Sequence, residues 1–228
     1  MKIVVCVKEI NCEINPFDEC ALECALSLDG AEIHIVSMGR ERAVDPIKRL
    51  SRLGNIKSHL LCDTAFAGSD TLATGYVLSE MIKKIAPDLV ICGRQSIDGD
   101  TGQVGPAVSE YLNYSLITNV LEIYKTENGK IFTRTRVCDE TADFPAVICV
   151  DRINTLRFPR IGQKPKEVEI LSASGLGVDV KKCGLKGSPT QVVKSFQNEI
   201  GTRKCKFVTP DKLAGIIAEE RITLEKCT

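Results

Sequence analysis

Short unbroken apolar runs alternate along this chain with longer stretches whose apolar residues recur every three or four positions. "KIVVCVK", Lys2 to Lys8, is a continuous apolar run of strand length rich in β-branched residues, the pattern of a strand covered on both faces. "NPFDECALECALSLDG" then offers Asn15 as N-cap and Pro16 at the first helical position. Apolar residues follow at Phe17, Cys20, Ala21, Cys24, Ala25 and Leu28, and the stretch stops at Gly30, so it predicts a helix. The alternation continues with strand "AEIHIVSMG", a helix from about Glu41 to Leu53, strand "SHLLCD", a helix from about Asp70 to Ala86, strand "DLVICG" and a helix from about Gly105 to Leu112. Strands and helices joined by short turns imply right-handed crossovers. The expected fold is α/β, a doubly wound, mainly parallel sheet with helices on both faces.

After Ser115 the pattern changes. "ENGK" is an Asn-Gly hairpin turn between two runs of β-formers, and "AVICV" is a further strand, which predicts an antiparallel extension of the sheet. From Arg152 the periodicity loosens into a tail with a short helix at Pro210 to Glu219. The expected organisation is an α/β domain over residues 1–151 and a C-terminal arm over 152–228. Apolar residues in the arm at Ile161, Val168, Ile170, Leu171, Leu176, Val178 and Leu185 follow no clear period, so the arm is expected to dock on a partner surface.

Charge narrows the partners. Thirty Lys+Arg balance thirty Asp+Glu, which argues against a broad footprint for nucleic acid or an anionic membrane. No apolar run approaches the roughly 20 residues of a membrane span, and the N-terminal run is too short for a signal peptide; the expected location is the cytoplasm, without membrane insertion. Eleven cysteines without an export signal read as free thiols. Cys6, Cys92 and Cys149 sit in strand runs, Cys20 and Cys24 on a helix stripe, and the absence of any Cys-x-x-Cys argues against a metal or cluster. His34 and His59, the two histidines, lie in strand runs and suggest no hydrolytic constellation.

In an open parallel sheet, ligands bind beyond the carboxyl ends of the strands, where strand order reverses. The loops to inspect are therefore "VKEINCEINPFD", "SMGRER", "DTAFAGSDTLAT" and "GRQSIDGDTGQVGP". Three lead into helix N-termini, at Asn15-Pro16, at Ser69-Asp70-Thr71 with Thr74, and at Thr101 to Gly105. Their free N–H groups suit phosphate. Taken singly, Asn15 and Asp70 are also ordinary caps and Asp98 and Asp100 ordinary turn residues beside Gly99. Neither Gly-x-Gly-x-x-Gly nor Gly-x-x-x-x-Gly-Lys occurs in these loops, so a nucleotide here would be held in another mode.

"INPFDECALECAL", "SDTLAT", "GRQSIDGDTGQVGPAVSEYL" and "GLKGSPTQV" together resemble the β subunit of electron transfer flavoproteins, in the right order over nearly the whole chain. The resemblance implies an adenine-nucleotide-binding α/β fold, an α subunit carrying FAD as partner, and electron transfer between dehydrogenases, such as an acyl-CoA dehydrogenase, and carriers such as ferredoxin or flavodoxin. It implies AMP in the β chain of the conventional branch, and in the electron-bifurcating branch an FAD that accepts hydride from NADH. By motif, the nucleotide contacts would be Cys6, Val7, Asn15, Pro16, Phe17, Asp18 and Met38, then Cys92, Gly93, Arg94, Gln95, Asp98, Gly99, Asp100, Thr101, Gln103, Val104 and Gly105. Asp70, Thr71 and Thr74 resemble the bifurcating branch and favour FAD. A solitary adenine-nucleotide-binding regulatory module is the remaining alternative.

Overall fold

The N-terminal apolar run becomes strand β1 (Lys2–Cys6), in which Ile3, Val4 and Val5 are wholly buried. Burial on both faces is what an unalternated run requires. The computed structural model describes residues 1–159, 161–190 and 207–225, with side chains to 218. A small hairpin, β2 (Glu9–Ile10) and β3 (Glu13–Ile14), follows β1, and helix α1 (Pro16–Leu26) returns along the sheet. Then come β4 (Glu32–Met38), α2 (Val44–Leu50), β5 (Ile56–Leu61), α3 (Thr71–Ile85), β6 (Leu89–Gly93) and α4 (Val104–Leu112). The helix expected over Glu41 to Leu53 is α only at its centre, with 3-10 turns at Glu41–Ala43 and Ser51–Leu53. Pro46 sits in its first α-turn, where a missing N–H is tolerated.

Beyond α4 lie β7 (Ser115–Glu127), β8 (Lys130–Thr135), β9 (Asp139–Asp143) and β10 (Ala146–Val150). Asn128 and Gly129 both take positive φ between β7 and β8, as the Asn-Gly turn predicts. With β11 (Val168–Leu171) at one edge, the nine-stranded sheet runs β11-β5-β4-β1-β6-β10-β7-β8-β9. Every pairing from β11 to β7 is parallel, and only β8 and β9 add antiparallel edges. Strand β10 does not extend the antiparallel end but inserts between β6 and β7, putting Cys149 level with Cys92 and Cys92 level with Cys6. Helices α1 and α2 cover one face, packing Leu22, Ala25 and Ile47 against Ile3, Val5 and Ile91. On the other face α3 and α4 pack Val77, Ile82 and Val108 against Val4, Val90 and Val147.

Met1–Gln191 form one compact unit and Val192–Thr228 a second. Within the first, the aperiodic stretch after Arg152 supplies strand β11 (Val168–Leu171), which pairs with β5, and the one-turn helices α5 (Ala173–Leu176) and α6 (Gly184–Gly187). Leu176 is buried, whereas Phe158, Ile161 and Leu185 are exposed. The described part of the second unit carries α7 (Pro210–Glu225), longer than the expected helix. The last two residues of "GLKGSPTQV" lie outside the described residues.

Both histidines are structural. His34 Nδ1 lies 3.0 Å from His59 Nε2, His34 Nε2 lies 3.2 Å from Glu32, and His59 Nδ1 lies 2.6 Å from Glu169, linking β4, β5 and β11. The rings stack with their planes 6° apart, and burial holds His34 below the usual imidazole range.

Ile91 lies wholly buried on the strand beside β1. Ile91→Ala is expected to cost about 2–5 kcal/mol through lost transfer energy and an unfilled cavity. Urea denaturation would measure it, and a cost near zero would contradict the central position of β6.

Candidate functional site

The chain leaves β1 toward β4 on one side and returns through β6 on the other. The connections on the two sides of β1 run over opposite faces, so a crevice opens at the carboxyl ends of β1 and β6, the switch point of the sheet. A cavity of ≈ 340 Å³ occupies it.

Its floor is Cys6 and Val7 from β1 and the residue after it, Cys92 and Gly93 from β6, and Met38 at the end of β4. Cys92 and Cys149 stay protonated thiols, Cys92 through the bond its S–H donates to Cys6 and through burial, Cys149 through burial. One wall is the paired N-termini of α3 and α4, which pack side by side and are joined by the Thr71 hydroxyl donating to Gln103 Oε1 at 3.2 Å. The two termini differ in one decisive respect. Asp70 Oδ1 already accepts the Leu72 and Ala73 N–H groups, each at 3.0 Å, so α3 is capped from within. Helix α4 has no side-chain cap, so the N–H groups of its first turn are open to an anion. Gly102, at φ +62°, turns the chain into that terminus.

The opposite wall is the fourth loop, pinned by Asn15. That side chain is not the helix cap its position suggests. Its Nδ2 donates to the Gln95 carbonyl at 2.8 Å and its Oδ1 accepts the Ile97 N–H at 3.3 Å. At 1 % exposure, Asn15 ties the first loop to the fourth. Lys8 adds a second tie, its ammonium 2.7 Å from Asp98, and against burial this pair holds the Asp98 carboxyl below its usual range. Asp100, at φ +50°, accepts from Gln95 Nε2 at 2.8 Å.

Asp18 is the exception among these carboxyls. It lies beneath Gly93, where an added Cβ would come 2.7 Å from Phe17, and it accepts the Lys8 N–H at 2.8 Å. Burial pushes its pKa up to about 7, although the Lys8 and Gly93 N–H groups and Asn15 favour the anion.

Of the residues the sequence proposes, the cavity gathers Cys6, Val7, Asn15, Asp18, Met38, Asp70, Thr71, Thr74, Cys92, Gly93, Arg94, Gln95, Gly99, Thr101, Gln103, Val104 and Gly105. Pro16, Phe17, Asp98 and Asp100 stand behind the lining. Phe17 carries the Arg94 guanidinium 5.4 Å over its ring. Lys8, Ser69, Leu78, Ser96 and Gly102 also line the cavity. Gly102 was visible in "DTGQ" and Lys8 at the end of the first apolar run; nothing local marks Leu78, which faces the cavity from inside α3.

A family model of the electron transfer flavoprotein domain matches residues 3–175. The chain belongs to the electron transfer flavoprotein family. It is 37% identical to the electron transfer flavoprotein subunit beta of Megasphaera elsdenii, over 86% of this chain and 87% of that one. Protein FixA of Azorhizobium caulinodans is 34% identical over 91% of this chain and 88% of its own. The caffeyl-CoA reductase-Etf complex subunit CarD of Acetobacterium woodii is 34% identical over 80% and 75%. The β-subunit reading of this electron transfer flavoprotein chain therefore stands on near-complete relatives. No helix among its described residues is long and apolar enough to cross a membrane.

The raised Asp18 carboxyl makes stability fall with rising pH. The unfolded chain gives up this proton near 3.8 and the folded chain near 7, so the contribution is whole below about pH 4, declines through about pH 7 and is absent above. Urea midpoints of the wild type minus those of Asp18→Asn are expected to decline over that window and then flatten. A difference independent of pH would show that Asp18 does not hold the proton.

Proposed function

We propose that the chain is the β subunit of a heterodimeric electron transfer flavoprotein whose switch-point cavity holds FAD. The observation that carries the reading is the uncapped N-terminus of α4 opening into the cavity behind Gly102, a donor set suited to a pyrophosphate. Thr71 and Thr74 of α3 line the same wall, so hydroxyls flank that donor set and suit the longer phosphate chain of a dinucleotide. A flavin held there would supply the redox chemistry, hydride acceptance from a nicotinamide donor and electron transfer to an α subunit, none of which a side chain of this protein supplies.

The chain's own residues bind and shape. Amides of the first α4 turn hold the phosphates, while Asn15 and the Lys8–Asp98 pair hold the fourth loop closed over them. Met38, Leu78 and the thiols of Cys6 and Cys92 exclude water from the floor. One observation favours AMP instead: ≈ 340 Å³ is near the small end of the about 300–1,000 Å³ range of ligand pockets. For FAD to be the occupant, the flavin ring needs walls beyond this chain, which an α subunit can provide.

Purified with an α subunit, the protein is expected to release two FAD per heterodimer on denaturation and to bleach flavin on anaerobic addition of NADH. One FAD with one AMP, and no bleaching, would replace this reading by the conventional one. A protein that holds no nucleotide would leave only the electron-transfer family assignment.

The arm is proposed to dock on the α subunit, with a dehydrogenase or reductase as redox partner; CarD, by its name, is part of a reductase complex. Phe158 and Ile161 are exposed at 94% and 105%, an apolar surface that association would cover. Limited proteolysis should cut near these residues in the isolated chain and spare them in the heterodimer. Equal cutting in both would refute docking at this segment.

A further inference from the structure

Four aspartates stand in or behind the cavity wall; all accept hydrogen bonds, but Asp18 alone is buried in the lining with no ion-paired cation among the described residues. Asp70 accepts N–H groups from Leu72, Ala73 and Thr190. Asp98 pairs with the Lys8 ammonium, and Asp100 accepts from Gln95 Nε2. Asp18, 7% exposed, shares the lining with the uncapped α4 terminus. The cations near it pair elsewhere: Lys8 with Asp98, from where its charge still favours the Asp18 anion, and Arg94 with the Phe17 ring, with Asp151 3.4 Å from its Nε. The Cys92 thiol beside it is held neutral by burial and by the bond it donates to Cys6. The cavity suited to an anion therefore contains a buried carboxyl without a paired cation among the described residues.

The geometry points to a proton-linked site, in which binding of a phosphate-bearing nucleotide is accompanied by uptake of one proton from solvent onto Asp18. This rests on the nucleotide reading of the cavity. Two negative charges in one wall, one of them on a buried carboxyl, oppose each other, and protonating Asp18 removes one of them. The coupling is reciprocal: the bound anion favours the proton, and the proton favours the anion. Burial already places the Asp18 pKa at about 7, so the empty site is largely ionised in mildly alkaline solution and has a proton to gain. Nucleotide affinity then weakens as pH rises above neutrality.

Isothermal titration of the nucleotide-stripped full chain, in two buffers of different ionisation enthalpy, counts the protons. FAD is the first probe and AMP the second, each referred to Asp18→Asn so that the ligand's own titration cancels. At about pH 8 the wild type is expected to take up close to one proton more per nucleotide than the variant, and at about pH 5 the difference should vanish. Equal proton counts in the two proteins would overturn the linkage and leave the nucleotide reading standing. Failure of the wild type to bind either probe would overturn both. Should the variant not fold, infrared difference spectra of the wild type decide: a protonated-carboxyl band growing at about pH 8 on nucleotide addition supports the linkage, and no such band refutes it.

Discussion

Strand β1 can hydrogen-bond to only two neighbours, and the rest of the structure follows from which two. It pairs with β4 on one side and β6 on the other, in parallel and in register from Ile3 to Cys6. Right-handed crossovers then send α1 and α2 to one face and α3 and α4 to the other. The loops leaving β1 and β6 diverge, and the crevice between them is the cavity. Its residues come from four separate stretches of chain because each parallel strand delivers one loop to the same edge.

The alternation of buried runs and amphipathic stretches made β1, β4, β5, β6, α1, α3 and α4 legible, since period and burial agree in each. The position of β10 was not: "AVICV" announces a strand but not its neighbours, and register is a property of the whole sheet. Strand β11 escaped because four residues are too few to show a period, and its Glu169 interrupts the apolar run. In the site, the loops could be named because strand ends converge by topology. The roles within them could not. Asn15 occupies a cap position and serves as a cross-loop tie, while Asp70, in a loop suggestive of phosphate, consumes the very N–H groups that a phosphate would need.

Electrostatically the site is a set of carboxylates answered by donors, Asp18 alone being pushed toward protonation by burial. Asp98 and Asp70 are held below the usual range, against burial, by the Lys8 ammonium and by backbone N–H groups. Their charges are absorbed locally, so the cavity wall is not the acidic surface that its four aspartates suggest. A neutral Cys92 thiol at the floor and an open helix terminus at the wall complete a setting in which added negative charge is felt by the buried Asp18.

The insertion of β10 between β6 and β7 also bears on how the protein forms on the ribosome. The central pairs join residues near 3, 33, 90 and 148, a topology of long-range contacts that forms slowly. A nascent chain that has emerged only through α4 can assemble β5, β4, β1 and β6, but β6 then presents an unpaired, wholly apolar edge of Leu89, Val90 and Ile91. Such an edge invites association with other chains. About forty more residues must be synthesised before Ala146 to Val150 can cover it, so the strand that sets Cys149 beside Cys92 also closes an aggregation-prone interval of synthesis.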